Sequence, residues 1–242
     1  MYILALDSTA VTAAVALCED ERLISSYTVN NGNTHSETLL PMIESVLKQA
    51  HLTVSEIDLF VCSAGPGSFT GVRIGAATIK GLAFGRQKPC VGVSTLEALA
   101  HNLELISGEA LICPVMNARR GQVYNALFSV KSGVLERLTE DRLITVEELE
   151  VELLEKYSAL PIYLCGDGYD ITRKLLKTVK PEKTPEPLIY QSGYSVAMCG
   201  LKQYRCGDRT DDKGLSPVYL RPSQAERTRA EQLARQAEQS QQ

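Results

Sequence analysis

The sequence predicts an α/β protein built from two related βββαβα half-domains, and three observations predict it. The composition, 44% hydrophobic, 22% charged and 6% aromatic over 242 residues, is that of a globular chain long enough to bury about 70% of its unfolded surface without covalent staples. Short apolar runs at strand-like intervals give way to helical periodicity twice, in the same order. The two passes also align at similar offsets: Leu59-Phe60-Val61-Cys62 falls on Ile162-Tyr163-Leu164-Cys165, 103 positions on, and Leu6-Asp7 on Met116-Asn117, 110 positions on.

In the first pass, strands are expected at 2–8, 12–19 and about 22–29, joined as hairpins. After the polar loop 30–35 a helix is expected through about residue 50, with Leu39, Leu40, Ile43, Val46, Leu47 and Ala50 on one broad face. Pro41 is tolerable in its first turn if Thr38 is the N-cap. A strand at 58–64, a glycine loop, a helix at about 70–86, a strand at 90–94 and a helix at about 95–103 complete this half. The second pass predicts strands at about 110–117, 122–130 and 134–142, a helix at about 146–157 opened by a Thr145/Glu148 capping box, a strand at 161–165, the loop Gly166-Asp167-Gly168 and a further helix. The proline-rich stretch 180–187 reads as a stiff exposed connection, followed by a short strand at 188–190 and a helix from about Ser192 to Arg205. The expected division is 1–107 for the N-terminal half-domain, with 192–222 returning towards it, 108–191 for the smaller second half-domain, and 223–242 for a polar tail expected to be flexible.

Several functions are disfavoured at once. No apolar run approaches the roughly 18 residues of a membrane span, and the start Met1-Tyr2-Ile3-Leu4 has no basic segment ahead of its apolar run, so a cytoplasmic protein is expected. The cysteines at 18, 62, 90, 113, 165, 199 and 206 form no CxxC pair and read as small reduced hydrophobes. A net charge of −4 supplies no positive field for autonomous nucleic-acid binding.

Two stretches offer chemistry. Leu6-Asp7-Ser8-Thr9 ends a buried strand in an acidic, hydroxyl-bearing turn that suits a metal or phosphate, or simply its own backbone. Ala64-Gly65-Pro66-Gly67-Ser68-Phe69-Thr70-Gly71-Val72-Arg73-Ile74-Gly75 ends a strand and opens a helix whose free N–H groups suit an anion, although the GK[ST] end of a P-loop is missing. Gly71, Gly75, Gly81 and Gly85 each cost a helix about 1 kcal/mol relative to Ala, so something must pack closely on this segment. Ala77, Gly81 and Gly85 form one row of small residues, and Gly71 and Gly75 start another. His35 and Glu37 suit a capping or surface role, His51 and His101 end helical stretches where an imidazolium complements the dipole, and the Arg119-Arg120 turn suits either phosphate or solvent.

Taken together these residues resemble the TsaB (YeaZ) family, over nearly the whole chain to about residue 222. The resemblance is carried by the 63–75 glycine segment, supported by Leu6-Asp7-Ser8-Thr9, Thr34-His35-Ser36, Gly92-Val93-Ser94-Thr95-Leu96, Asn117-Ala118-Arg119 and Pro217-Val218-Tyr219-Leu220-Arg221. It implies the actin/hexokinase/Hsp70-like (ASKHA) fold and a non-catalytic dimerisation subunit for making N6-threonylcarbamoyladenosine at position 37 of tRNA. The implied partners are the catalytic paralogue TsaD, the ATPase TsaE and tRNA held through the complex; a homodimer is allowed when the protein is alone.

By the same resemblance, the paralogue's metal-binding His pair would fall on Thr95 and Leu99, neither of which can supply a nitrogen ligand. No metal, cofactor or catalytic residue of its own is therefore expected, ATP and metal residing on partner subunits. Asp7, Ser8, Gly65, Gly67, Gly166 and Gly168 would be vestigial nucleotide or phosphate loops. Leu39, Met42, Ile43, Val46, Gly71, Gly75, Ala77, Thr78 and Gly81 would form the partner interface. The competing expectation is an actin-like-fold ATPase or phosphotransferase acting on its own through Asp7 and the two glycine loops.

Overall fold

The structure, a computed structural model, describes residues 1–221; the expected polar tail at 223–242 lies outside the described residues. The first lobe is a five-stranded sheet in the order β3-β2-β1-β4-β5, formed by β1 (Tyr2–Asp7), β2 (Ala13–Glu19), β3 (Arg22–Val29), β4 (Leu59–Gly65) and β5 (Cys90–Ser94). β1 pairs antiparallel with β2 and parallel with β4. Both faces of this sheet are covered, which is why its central strands read as unbroken apolar runs. Leu4, Leu6, Val15, Leu17, Phe60 and Cys62 point to one face, where they meet α1 (His35–Gln49) and α2 (Phe69–Ala83). Their alternating neighbours Ile3, Ala5, Ala16, Cys18, Leu59 and Val61 meet α6 (Gly193–Arg205) on the other. α6 lies at backbone distance because it places Gly193 and Gly200 on the sheet: a Cβ on Gly200 would stand 2.4 Å from the Val61 side chain.

The second lobe is built on β6 (Glu109–Asn117), β7 (Gln122–Asn125), β8 (Phe128–Lys131), β9 (Val134–Arg137), β10 (Arg142–Thr145) and β11 (Ile162–Cys165), with α4 (Val146–Tyr157) and α5 (Tyr169–Leu175) on one face. Here the expected strands at 122–130 and 134–142 are each split in two. Pro114 has no N–H to donate, and around it β6 changes partner, pairing with β8 over 109–112 and with β7 over 115–117. Asn125 occupies the break, fully buried; its Nδ2 donates to the carbonyls of Pro114 (2.9 Å) and Ala126 (3.0 Å), and its Oδ1 accepts from Arg142. The Thr145/Glu148 capping box forms as expected.

α3 (Thr95–His101) lies between the lobes, giving Ala98 to the core of the first sheet and Leu96, Leu99 and Leu103 beyond its end to the core of the second. Six of the seven cysteines are buried, and burial raises the thiol of Cys18 to about 12 and that of Cys90 to about 11, as suits reduced core residues.

Three further expectations are corrected. The N-cap of α1 is Thr34 rather than Thr38, so Pro41 stands well inside the helix, on its exposed side. Residues 188–190 form no strand; a 3-10 turn spans Glu186–Leu188, with Pro185 as its N-cap. The 180–187 stretch is not wholly exposed, because Pro181 and Thr184 are buried and the Thr184 hydroxyl donates to the Leu164 carbonyl at 2.7 Å.

The glycines of α2 divide by what faces them. A Cβ on Gly71 would stand 1.9 Å from the Ser8 carbonyl oxygen, whereas one on Gly81 would meet nothing within 4 Å. Gly71→Ala is therefore expected to destabilise by about 2–3 kcal/mol or more, and Gly81→Ala to stabilise by about 0.5–1 kcal/mol. Urea midpoints check both, and a Gly71→Ala midpoint equal to wild type would remove the close contact from the account.

Candidate functional site

The end of β1 brings the first motif to the cleft between the lobes. Asp7 is buried, and its oxygens are taken inside the protein: Oδ1 accepts from the Thr9 N–H (2.8 Å) and the Thr9 hydroxyl (2.7 Å), and Oδ2 accepts from the Ser63 hydroxyl. Burial pushes its carboxyl above the usual range, against the lowering by those hydrogen bonds. The turn then presses on the start of α2. The Ser8 hydroxyl donates to the Gly71 carbonyl (2.9 Å), Ser68 N donates to the Thr9 carbonyl (2.7 Å), and Ser68 as N-cap accepts from Gly71 N. His35 braces the same turn from α1, its Nε2 2.6 Å from the Ala10 carbonyl oxygen.

The cleft encloses about 630 Å³. One wall is Thr9, Ala10 and Val11 with Gly67 to Thr70 and Arg73, and the other is Met116 to Arg119 with Tyr124, Asp167 and Arg221. The rings of Phe69 and Tyr219 stack with centroids 4.6 Å apart, and Arg73 lies beside the pair, its guanidinium carbon 5.6 and 5.5 Å from the two centroids and its Nε donating to the Tyr219 hydroxyl. Arg221 donates to the Ala118 carbonyl. Arg119 and Arg120 both take left-handed backbone, with φ of 64° and 56°, in the tight turn from β6 to β7. Only Arg119 lines this cleft. Asp167 accepts from Asn117 N at 3.0 Å; burial lifts its carboxyl to about 6, the Asn117 N–H lowering it and the neighbouring Asp7 raising it.

The glycine loops do not form open cradles. A Cβ on Gly65 would stand 2.3 Å from the Val218 carbonyl oxygen, one on Gly67 2.5 Å from that of Thr9, and ones on Gly166 and Gly168 2.2 and 2.9 Å from that of Val115. In each case the space a phosphate would need beside the glycine holds the chain's own backbone. Both Asp7 oxygens also accept hydrogen bonds from the protein, so the residues do not fit a nucleotide with its divalent ion. Thr95 and Leu99, at 0% and 1% exposure, lie in the contact between the lobes and offer no metal-binding nitrogen.

The expected partner face is corrected in part. Leu39, Met42, Ile43 and Val46 are buried in the protein's own core beneath α1, because the apolar stripe of a surface helix turns towards its sheet. Gly71 and Gly75 are likewise buried, facing Ser8. What α2 presents outward is Ala77, part of Thr78, Gly81 and, just past its end, Phe84 at 71% exposure; α1 presents Leu40 at 50%.

Two lobes related in strand order, each with a parallel strand pair beside an antiparallel meander and with a cleft between them, define a protein of the actin/hexokinase/Hsp70-like fold. A family model described as "TsaD: tRNA N6-adenosine threonylcarbamoyltransferase" matches residues 28–204. The tRNA threonylcarbamoyladenosine biosynthesis protein TsaB of Bacillus subtilis (strain 168) is 32% identical over 235 residues, covering 93% of this chain and 96% of that protein. Its namesake from Escherichia coli (strain K12) is 30% identical over 221 residues, covering 91% and 95%. The solved structure of YeaZ from Pseudomonas aeruginosa superposes with a TM-score of 0.77 at 25% identity, covering 90% of this chain and 99% of that one. The chain belongs to the TsaB (YeaZ) family.

Asp167 offers a pH test of the cleft. Its folded-state carboxyl is raised from 3.8 to about 6, so its contribution to stability is fully present below about pH 4 and is lost as pH rises through about 6. Asp167→Asn keeps an oxygen for the Asn117 N–H and removes the charge. Its melting temperature should exceed wild type at pH 8, by the equivalent of about 1–3 kcal/mol, and converge on wild type near pH 4; a difference independent of pH would contradict the assignment.

Proposed function

We propose that this protein is a non-catalytic subunit in the cytoplasmic assembly that makes N6-threonylcarbamoyladenosine at position 37 of tRNA. It pairs with a TsaD-type catalytic paralogue, helps recruit the ATPase TsaE and meets tRNA through the complex. The observation that carries the reading is the division of α2 into two faces. Its glycines at 71 and 75 are consumed by the protein's own turn, while the row Ala77, Gly81 and Phe84 faces outward with no Cβ contact at Gly81. Small residues at four-residue spacing let a second helix approach to near backbone distance, and exposed Phe84 and Leu40 supply apolar area for it. The same face would serve a homodimer when no paralogue is present.

What supports a non-catalytic role is chemical. Both Asp7 oxygens accept hydrogen bonds within the protein, the space beside the loop glycines is filled by backbone, and Thr95 and Leu99 carry no metal-binding nitrogen. Among the described residues no helix is long and apolar enough to cross a membrane. A self-standing ATPase would instead show nucleotide turnover by the isolated protein, lost in Asp7→Asn.

Gly81→Leu, which projects into open space, should leave the melting temperature within a few degrees of wild type and abolish co-elution with the paralogue, with modified nucleoside measured by mass spectrometry falling in parallel. Gly75→Leu should unfold the protein instead, because its Cβ alone would stand 2.7 Å from the Ser8 hydroxyl oxygen. Undiminished co-elution of Gly81→Leu would sink the assignment of this face, and normal modified-nucleoside levels after depletion of the protein would sink the function.

A further inference from the structure

On α3, Glu97 and His101 stand four residues apart and share a face, and Cys199 of α6 looks onto them. One donor atom from each lies within 4.8 Å of the other two. This is not the face of Thr95 and Leu99: at roughly 100° per residue, a shift of two positions turns Glu97 and His101 to the opposite side of the helix, away from the cleft.

The imidazole is prepared for a ligand. His101 Nδ1 lies 2.7 Å from Glu104 Oε2, and since a carboxylate only accepts, Nδ1 carries the proton of the neutral ring and Nε2 its lone pair. That Nε2 is buried, with less than 1 Å² exposed, and has no hydrogen-bond partner. A carboxylate that fixes the tautomer of a ring with a nitrogen within 4.8 Å of a thiol sulfur and a second carboxyl oxygen is the outer-shell arrangement of metal-binding histidines. Glu97 is steadied from its other side by Arg137, whose Nη2 is 3.2 Å from Glu97 Oε2 and whose Nη1 is 2.7 Å from Asp141 Oδ1.

We propose that Glu97, His101 and Cys199 form a binding site for a divalent cation of the zinc class. One nitrogen, one sulfur and one oxygen suit Zn²⁺ or Co²⁺ and disfavour Mg²⁺ or Ca²⁺, which require mostly oxygen. Bonds of about 2.0–2.3 Å require the three donors to draw in by about an ångström, which is within the reach of the long Glu97 side chain. On coordination the Cys199 S–H bond breaks, the sulfur gives its electron pair to the metal and the proton leaves to solvent. Water fills the fourth position on the Glu97 side, where the side chain keeps 20% exposure. The ion ties α3, the helix between the lobes, to α6 on the back of the first sheet.

The test is a Co²⁺ titration of the chelator-treated full-length protein, wild type and Cys206→Ser, the latter removing the exposed thiol. Both should take up one equivalent with a thiolate-to-cobalt absorption in the near ultraviolet, displaced by Zn²⁺. Cys199→Ser should lose that band, His101→Ala should lose stoichiometric binding, and Glu104→Gln should weaken affinity by about 10–100-fold while keeping the band at saturation. No band in Cys206→Ser at tenfold excess cobalt, or a band that survives Cys199→Ser, overturns the proposal.

Discussion

The contact between the Ser8–Thr9 backbone and the first turns of α2 is the constraint on which the rest of the structure depends. It exists only because positions 67, 71 and 75 carry no side chain, and each helical glycine costs about 1 kcal/mol in propensity. Once the turn is seated, Asp7 is directed inward to Ser63 and Thr9, and the start of α2 is capped by the protein itself. Gly71 and Gly75 face inward, which turns Ala77 and Gly81 outward and carries Phe69 and Arg73 to the cleft beside Tyr219. A single side chain at position 71 would disturb the hydrogen bonding of the acidic turn, the cleft wall and the outward face together.

The first sheet was legible because its central strands are buried on both faces and therefore read as apolar runs with abrupt polar ends. The glycines of α2 announced close packing, but a periodic pattern cannot say which of two surfaces takes the close approach. Leu39, Met42, Ile43 and Val46 looked available for a partner only because the sheet beneath them is absent from a one-dimensional reading. The breaks in the second lobe turn on Pro114 and Asn125, whose effects arise from a missing donor on one strand and a side chain that serves carbonyls on two. The closeness of α6 was equally hidden, since Gly193 and Gly200 in an otherwise ordinary helical pattern do not name Val15, Ala16 and Val61 as their neighbours. His101 and Cys199 belong to different elements, and nothing local joins them; the one signal within reach was the four-residue spacing of Glu97 and His101.

α3 gives the two lobes a common core. Thr95 and Leu99 are packed where the lobes meet, so this helix serves cohesion on its cleft side while its opposite side gathers Glu97, His101 and Glu104.

The path of the chain after the second lobe has a consequence for the order in which the molecule can assemble. α6 covers the back of the first sheet, Thr210 pairs with Cys90 at the open edge of β5, and Val218 N donates to the Ala64 carbonyl. During synthesis the first sheet must therefore wait, with one face and one edge bare, until the whole of the second lobe has left the ribosome. These contacts span long stretches of chain, and such non-local closure is slow to form. The lobe made first is completed only after the other has been made.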